Sequence, residues 1–238
     1  MGRRMNAAIT LTDVTVSYNR EPAVHHVSGA FARGSLTAIT GANGAGKSTL
    51  LKAIASIQPF GGSIAFHGLT RKDIAYLPQA ADLQRDFPLS VFQMVVTGYW
   101  QSDKGFGRIT PAQKIAAKHA IAEVGLKEYT HCTLDTLSAG QFQRALFART
   151  LVQNAQLILL DEPFTSIDEN TAETLLGIIQ TWHAEGRTIL CVLHDFEQIR
   201  QFFPECLLMA CRAVAWGETA ETLTPEHVFN ARFTRHHA

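Results

Sequence analysis

Long apolar runs are what this sequence has least of. CLLMAC at 206–211 is among the longest, far short of the ~20 residues a helix needs to cross a bilayer. If the protein works at a membrane, another chain is expected to do the crossing. The first residues, MGRRMNAAITLTD, hold two arginines and no apolar h-region, so they do not read as a signal peptide. Neither sign of charge is in excess, since 21 Lys plus Arg face 21 Asp plus Glu. No global field therefore advertises a nucleic-acid or anionic-membrane partner. Cysteine is scarce, and Cys132, Cys191, Cys206 and Cys211 form no CxxC pair. Three of them sit in apolar segments, so they are expected to be reduced and mostly buried, as in the cytosol. There is no internal repeat and no low-complexity tract. What remains is 238 residues, 46% hydrophobic and 18% charged, enough for one large domain or one domain with an insert.

Periodicity supplies the elements. AITLTDVTVSY at 8–18 alternates like a half-buried strand, and the segment 25–41 carries further strand into a glycine-rich loop. KSTLLKAIAS (47–56) reads as a helix, and GGSIAFHG (61–68) and DIAYLPQ (73–79) as short strands. Beyond Gln79 the texture turns helical, in LSVFQMVVTGYW, TPAQKIAAKHAIAEVG and LSAGQFQRALFARTLVQ, two of which open on Ser or Thr caps. After Ala155, strands and helices alternate again: QLILLDEP, a helix at about 168–184, RTILCVLHD, FEQIRQFF, then strands near CLLMAC and AVAWG. A continuous apolar run such as LILL suits a parallel strand covered on both faces. The expected fold is α/β, with a βαβ core at about 1–80 and 146–238 interrupted by a helical subdomain at about 81–145, all within one domain spanning 1–238.

Three motifs carry chemistry. GANGAGKST, Gly41 to Thr49, satisfies G-x-x-x-x-G-K-[ST] between a strand and a helix, the context that phosphate binding requires. Gly41, Gly44 and Gly46 let the backbone curl, with Ala42, Asn43 and Ala45 between them, until its N–H groups face phosphates. Lys47 offers a positive charge to the β- and γ-phosphates, and the Ser48 hydroxyl can ligate Mg²⁺. LILLDEP at 157–163 buries a strand and delivers Asp161 at its carboxyl end, where open α/β sheets hold ligands. Asp161 suits a metal, and Glu162 could take a proton from an attacking water. His194 follows another core strand, and Gln79 ends DIAYLPQ, where it could serve Mg²⁺ or the water. LSAGQ at 137–141 is a capped helix start that favours anions, yet 91 positions separate Ser138 from Lys47.

The loop, Gln79, LSAGQ, LILLDEP, Asp168 and His194, in this order, resemble the nucleotide-binding subunit of ABC transporters over about residues 10–220. The resemblance implies a P-loop NTPase (ABC ATPase) core with an antiparallel β subdomain and a helical insert. It implies ATP and Mg²⁺ as ligands, with Ser48, Gln79 and Asp161 around the metal and Glu162, His194, Lys47 and Gln79 in catalysis. Tyr18 becomes the platform for adenine. TSID (165–168) becomes the loop through which two nucleotide sites sense each other. The distance to Ser138 is explained by a head-to-tail homodimer, in which Ser138, Gly140 and Gln141 of one copy face the ATP held by the other. One departure is Ala139, where the family most often has glycine; its methyl group narrows the approach of backbone to phosphate.

The 91-residue interval leaves no room for a long coiled coil, unlike chromosome- and repair-type ABC ATPases, and a single phosphate loop excludes fused tandem forms. YLPQAADLQRDFPLSVFQMVVTGYW, LDEPFTSID and HDFEQIRQFFPECLLM are similar to ATPases of zinc and manganese uptake systems. The implied function is ATP-driven uptake of a divalent metal through a separate multi-span permease, at the cytoplasmic face of the membrane, with an extracytoplasmic metal-binding protein in the same system. Phe87, Val91 and Met94 are the expected permease contacts. Iron-siderophore or haem importers, and a soluble ABC ATPase without transport, are the alternatives. The tail histidines His236 and His237 lack the spacing of a structural zinc site and read as a solvated tail, with weak regulatory metal binding as the alternative.

Overall fold

Alternating and continuous apolar runs fold into two different sheets. The computed structural model describes residues 6–19, 21–83, 85–101 and 108–233. The tail histidines and the middle of the glycine-rich stretch at 98–108 lie outside them. The strands of the described residues are β1 (Ala7–Tyr18), β2 (Glu21–Ala32), β3 (Leu36–Gly41), β4 (Gly61–Phe66), β5 (Ile74–Leu77), β6 (Leu157–Asp161), β7 (Thr188–Val192), β8 (Glu205–Met209) and β9 (Ala213–Glu218). The alternating sequences of β1, β2 and β4 make an antiparallel sheet in the order β2-β1-β4. The continuous apolar runs make the second sheet, in the order β5-β6-β7-β3-β8-β9. Its strands pair in parallel, save β9 against β8.

Both faces of this parallel sheet are covered, which is why every residue of β6 and β7 is buried. On one face Leu157, Leu159, Leu190 and Val192 meet helix α1 (Lys47–Ile54) and the antiparallel sheet. On the other, Ile158, Leu160, Ile189 and Cys191 join the helices of the middle segment. These are α2 (Val91–Val96), α3 (Pro111–Glu123) and α4 (Ala139–Leu151), which pack on one another. Each opens on a capping box, Ser90 with Gln93, Thr110 with Gln113 and Ser138 with Gln141, so two orphan N–H groups are satisfied at each start. Helix α5 (Glu169–Ala184) joins the same core, with Trp182 stacked on Phe147 of α4 at 5.4 Å between ring centroids. The chain continues through α6 (Phe196–Phe202), α7 (Thr219–Thr222) and α8 (Pro225–Phe233).

Two expectations are corrected. Val91 and Met94 are core residues, 0% and 7% exposed, and only Phe87, at 64%, stands out from the surface. Helix α2 has only six residues and is apolar nearly all round, so packing rather than periodicity decides which way it faces. Of the cysteines, Cys191 and Cys206 are buried, whereas Cys132 and Cys211 are half-exposed because both lie outside regular strands and helices. All four are free thiols.

Candidate active site

The register of the parallel sheet sets Gly41 opposite Met209 and Asp161 opposite Val192. The carboxyl ends of β3, β6 and β7 therefore reach one edge, where ligands of open α/β sheets lie. From β3 the chain turns through the glycine loop into α1. Two of its glycines are required by space as well as by conformation. At Gly41, φ 146°, a Cβ would stand 2.1 Å from the carbonyl oxygen of Met209, and at Gly46, φ 85°, 2.2 Å from that of Ala23. Helix α1 has no side-chain cap and no acidic residue in its first turn. Its N–H groups and the positive end of its dipole thus point at the loop, ready for an anion. The buried Lys47 folds back over the loop, its Nζ donating to the carbonyls of Gly41 and Ala42 at 3.0 Å each.

A cavity of about 630 Å³ opens above the loop, lined by Asn43, Gly44 and Gly46 through Thr49 on one side and by Gln79, Glu162 and His194 on the other. Asp161 is fully buried behind Ser48. Ser48 Oγ donates to Asp161 Oδ1 at 2.7 Å and the Tyr76 hydroxyl to Oδ2 at 3.3 Å. Burial pushes the Asp161 carboxyl above the usual range, against the opposing pull of the Ser48 bond and with help from the Glu162 charge. Next to it, Glu162 sits at φ 50°, a left-handed conformation that a non-glycine residue rarely adopts. Its Oε2 accepts from Gln79 Nε2 at 2.9 Å and from Thr165 Oγ1 at 3.2 Å, and its Oε1 is 2.7 Å from His194 Nε2. Three side chains from three segments thus aim one carboxylate into the cavity.

Lys47, Ser48, Gln79, Glu162 and His194 line this one cavity, and Asp161 is hydrogen-bonded to Ser48 beside it. Tyr18 ends β1 in the open, 46% exposed, outside the lining of the cavity. Ser138, Gly140 and Gln141 are also outside it. There Ser138 Oγ accepts from the N–H of Gln141, whose Oε1 accepts from the N–H of Ser138. Tyr76 escaped the sequence reading, as did the bond from Thr165 of TSID to Glu162. Tyr76 is found only once β5 is registered against β6, and Thr165 only once the turn after Glu162 is folded. The residues present fit MgATP: a hydroxyl, an amide and carboxylates are the hard oxygen donors Mg²⁺ prefers, beside a glycine cradle that any Cβ would fill.

Fold and loop together define a phosphate-loop protein that binds nucleoside triphosphates. Residues 24–165 match the model of the ABC transporter family, and the chain belongs to that family as an ATP-binding subunit, of the kind that hydrolyses ATP. It is 36% identical over 229 residues to the zinc transport system ATP-binding protein TroB of Treponema pallidum, covering 94% of this chain and 86% of TroB. Against the manganese transport system ATP-binding protein MntB of Bacillus subtilis it is 35% identical over 225 residues, covering 92% and 90%. A metal-chelate type ABC transporter in an inward-facing conformation superposes with a TM-score of 0.81 at 26% identity, over 96% of this chain and 90% of that one. The cassette MJ0796, in a dimeric post-hydrolysis structure with ADP and Pi, shares the fold at a TM-score of 0.78 and 22% identity, over 89% and 98%. In this family, paired ATPase subunits and a membrane permease are the usual partners.

Proposed function

We propose that this chain powers uptake of a divalent metal ion, zinc or manganese, as the ATPase of an importer whose permease is a separate multi-span protein. Among the described residues no helix is long and apolar enough to cross a membrane, in keeping with a subunit docked at the cytoplasmic face. An extracytoplasmic metal-binding protein completes the system. The cargo class is carried over from TroB and MntB. The residues at about 81–145 act as a helical subdomain moving against a core of 1–80 and 146–238, with Phe87 toward the permease.

In this reading the loop amides from Gly41 to Thr49 and Lys47 bind the phosphates of ATP, while Tyr18 stacks on the adenine. Ser48, Gln79 and Asp161 would hold Mg²⁺, which when bound neutralises phosphate charge. Glu162 takes the proton of the attacking water, and His194, already hydrogen-bonded to it, steadies the γ-phosphate. The partner's Ser138, Gly140 and Gln141 close the site from the opposite face. Catalysis of this kind is positioning plus electrostatics.

The observation that carries the proposal is the Glu162 carboxylate, held by His194, Gln79 and Thr165 in the cavity that the phosphate loop lines. Glu162→Gln keeps the size of the side chain and removes the base. Steady-state ATPase assays are expected to show turnover lower by ~100-fold or more, with MgATP affinity retained. A variant that hydrolyses at the parent rate would remove Glu162 from this role.

A further inference from the structure

Helix α4 leaves its capped start at Ser138 and passes against the turn that bears Glu162. Five residues along, the Gln143 side chain is fully buried. Its Nε2 donates to the carbonyl of Pro163 at 3.2 Å and to that of Glu162 at 3.4 Å. The Glu162 carbonyl also accepts from the N–H of Thr165 at 3.3 Å, so the amide and the turn share it. Here the chain abandons strand geometry for a left-handed residue, and carbonyls that leave a ladder need other donors when buried. A strained non-glycine conformation persists only where the surroundings over-determine it. The two carbonyl acceptors orient the Gln143 amide, while its Oε1 has no donor among the described residues. The polar contact of this buried side chain is therefore donation to the Glu162 turn.

The same helix approaches that loop once more. A Cβ at Gly140 would stand 2.7 Å from the carbonyl oxygen of Ser166, itself a left-handed residue at φ 64°. Between Gly140 and Gln143, the ring of Phe142 lies 4.7 Å from the Arg85 guanidinium carbon, in the segment that follows Gln79. We propose that Gln143 is a positioning residue: by bridging the carbonyls of Glu162 and Pro163 it holds the carboxylate in its productive direction. Turnover is thereby made to depend on where α4 sits. Gln143 reaches only backbone and touches no reacting atom. The proposal rests on the reading of Glu162 as the base.

Gln143→Met keeps the length and bulk of the side chain and removes the N–H. Small displacements of a reacting group cost one to two decades in rate, so kcat is expected to fall about 10- to 100-fold. KM and the affinity for a fluorescent ATP analogue stay within about twofold, because the loop that binds nucleotide is not displaced. Gln143→His retains a ring N–H at similar reach and is expected to recover most of the lost rate. It also serves as the second variant where Met impairs folding, which a thermal melt reports. A side chain that only fills space predicts full activity in a folded Met variant, and that result overturns the proposal. So does a folded His variant no faster than Met. Glu162→Gln measured alongside separates the two layers. If it remains active, the reading of Glu162 fails; if it is inactive beside a fully active Gln143→Met, only the positioning role does.

Discussion

Asp161 sets function against stability at the scale of one residue. Its carboxyl is buried, and burial raises its pKa in the folded chain, whereas an unfolded aspartate titrates near ~3.9. Between those two values the folded state holds more protons, so this group's contribution to stability falls as pH rises through that window and stays low at neutral pH. Asp161→Asn removes the charge and keeps partners for Ser48 and Tyr76. Melts without nucleotide are expected to show a gain of roughly 0.5–2 kcal/mol at neutral pH, shrinking toward pH 4, together with loss of ATPase activity. An Asn variant less stable than the parent at pH 7 would refute this account of the site. The thiols give a second test at this scale. Burial pushes the Cys206 thiol up to about 12 and that of Cys191 well above its usual range, so neither forms the reactive thiolate at pH 8. Ellman's reagent is expected to label Cys132 and Cys211 in the native chain and all four cysteines in guanidinium. Labelling of more than two in the native chain would contradict the packing described for β7 and β8.

Elements were legible in the sequence wherever one physical rule dominated. LILLD reads as a doubly covered strand because nothing polar interrupts it before Asp161, and β6 is buried throughout. Ser138 and Gln141 announce a helix start because a capping box needs those two residue types three apart, and they make it. The loop glycines were legible for the same reason, since their spacing matches one backbone curl. Where several surfaces compete, the sequence is silent. VFQMVV offers apolar residues in most directions, so the burial of Val91 and Met94 had to come from the packing of α2. Tyr76 and Gln143 reach the site only through strand register and helix docking, which no local pattern encodes. Helices α7 and α8 went unread, the first being only four residues long and the second lacking a clear apolar stripe. The loop itself can be tested as an element. Gly46→Ala puts a methyl group against the Ala23 carbonyl of β2 at φ 85°, and strain of this kind costs about 1–3 kcal/mol. Urea melts are expected to show that loss, and calorimetry a weaker MgATP affinity, because the start of α1 must shift. An Ala variant with parental stability would mean that the loop is not held against β2 as described.

At the scale of the whole molecule, the proposed reading gives one copy two unlike half-sites. The cavity over the loop is lined by Lys47, Ser48, Gln79, Glu162 and His194, and the capped start of α4 lies elsewhere, with Ser138 exposed. In that reading, pairing head to tail would join each loop to the other copy's α4, twice by symmetry. ATP then favours the pair because it binds the closed form better than the open one. Sedimentation velocity on the Glu162→Gln chain, with and without saturating MgATP, tests this most directly. The account predicts a monomer without nucleotide and a species of twice the mass with it; a chain that stays monomeric with MgATP bound would contradict it.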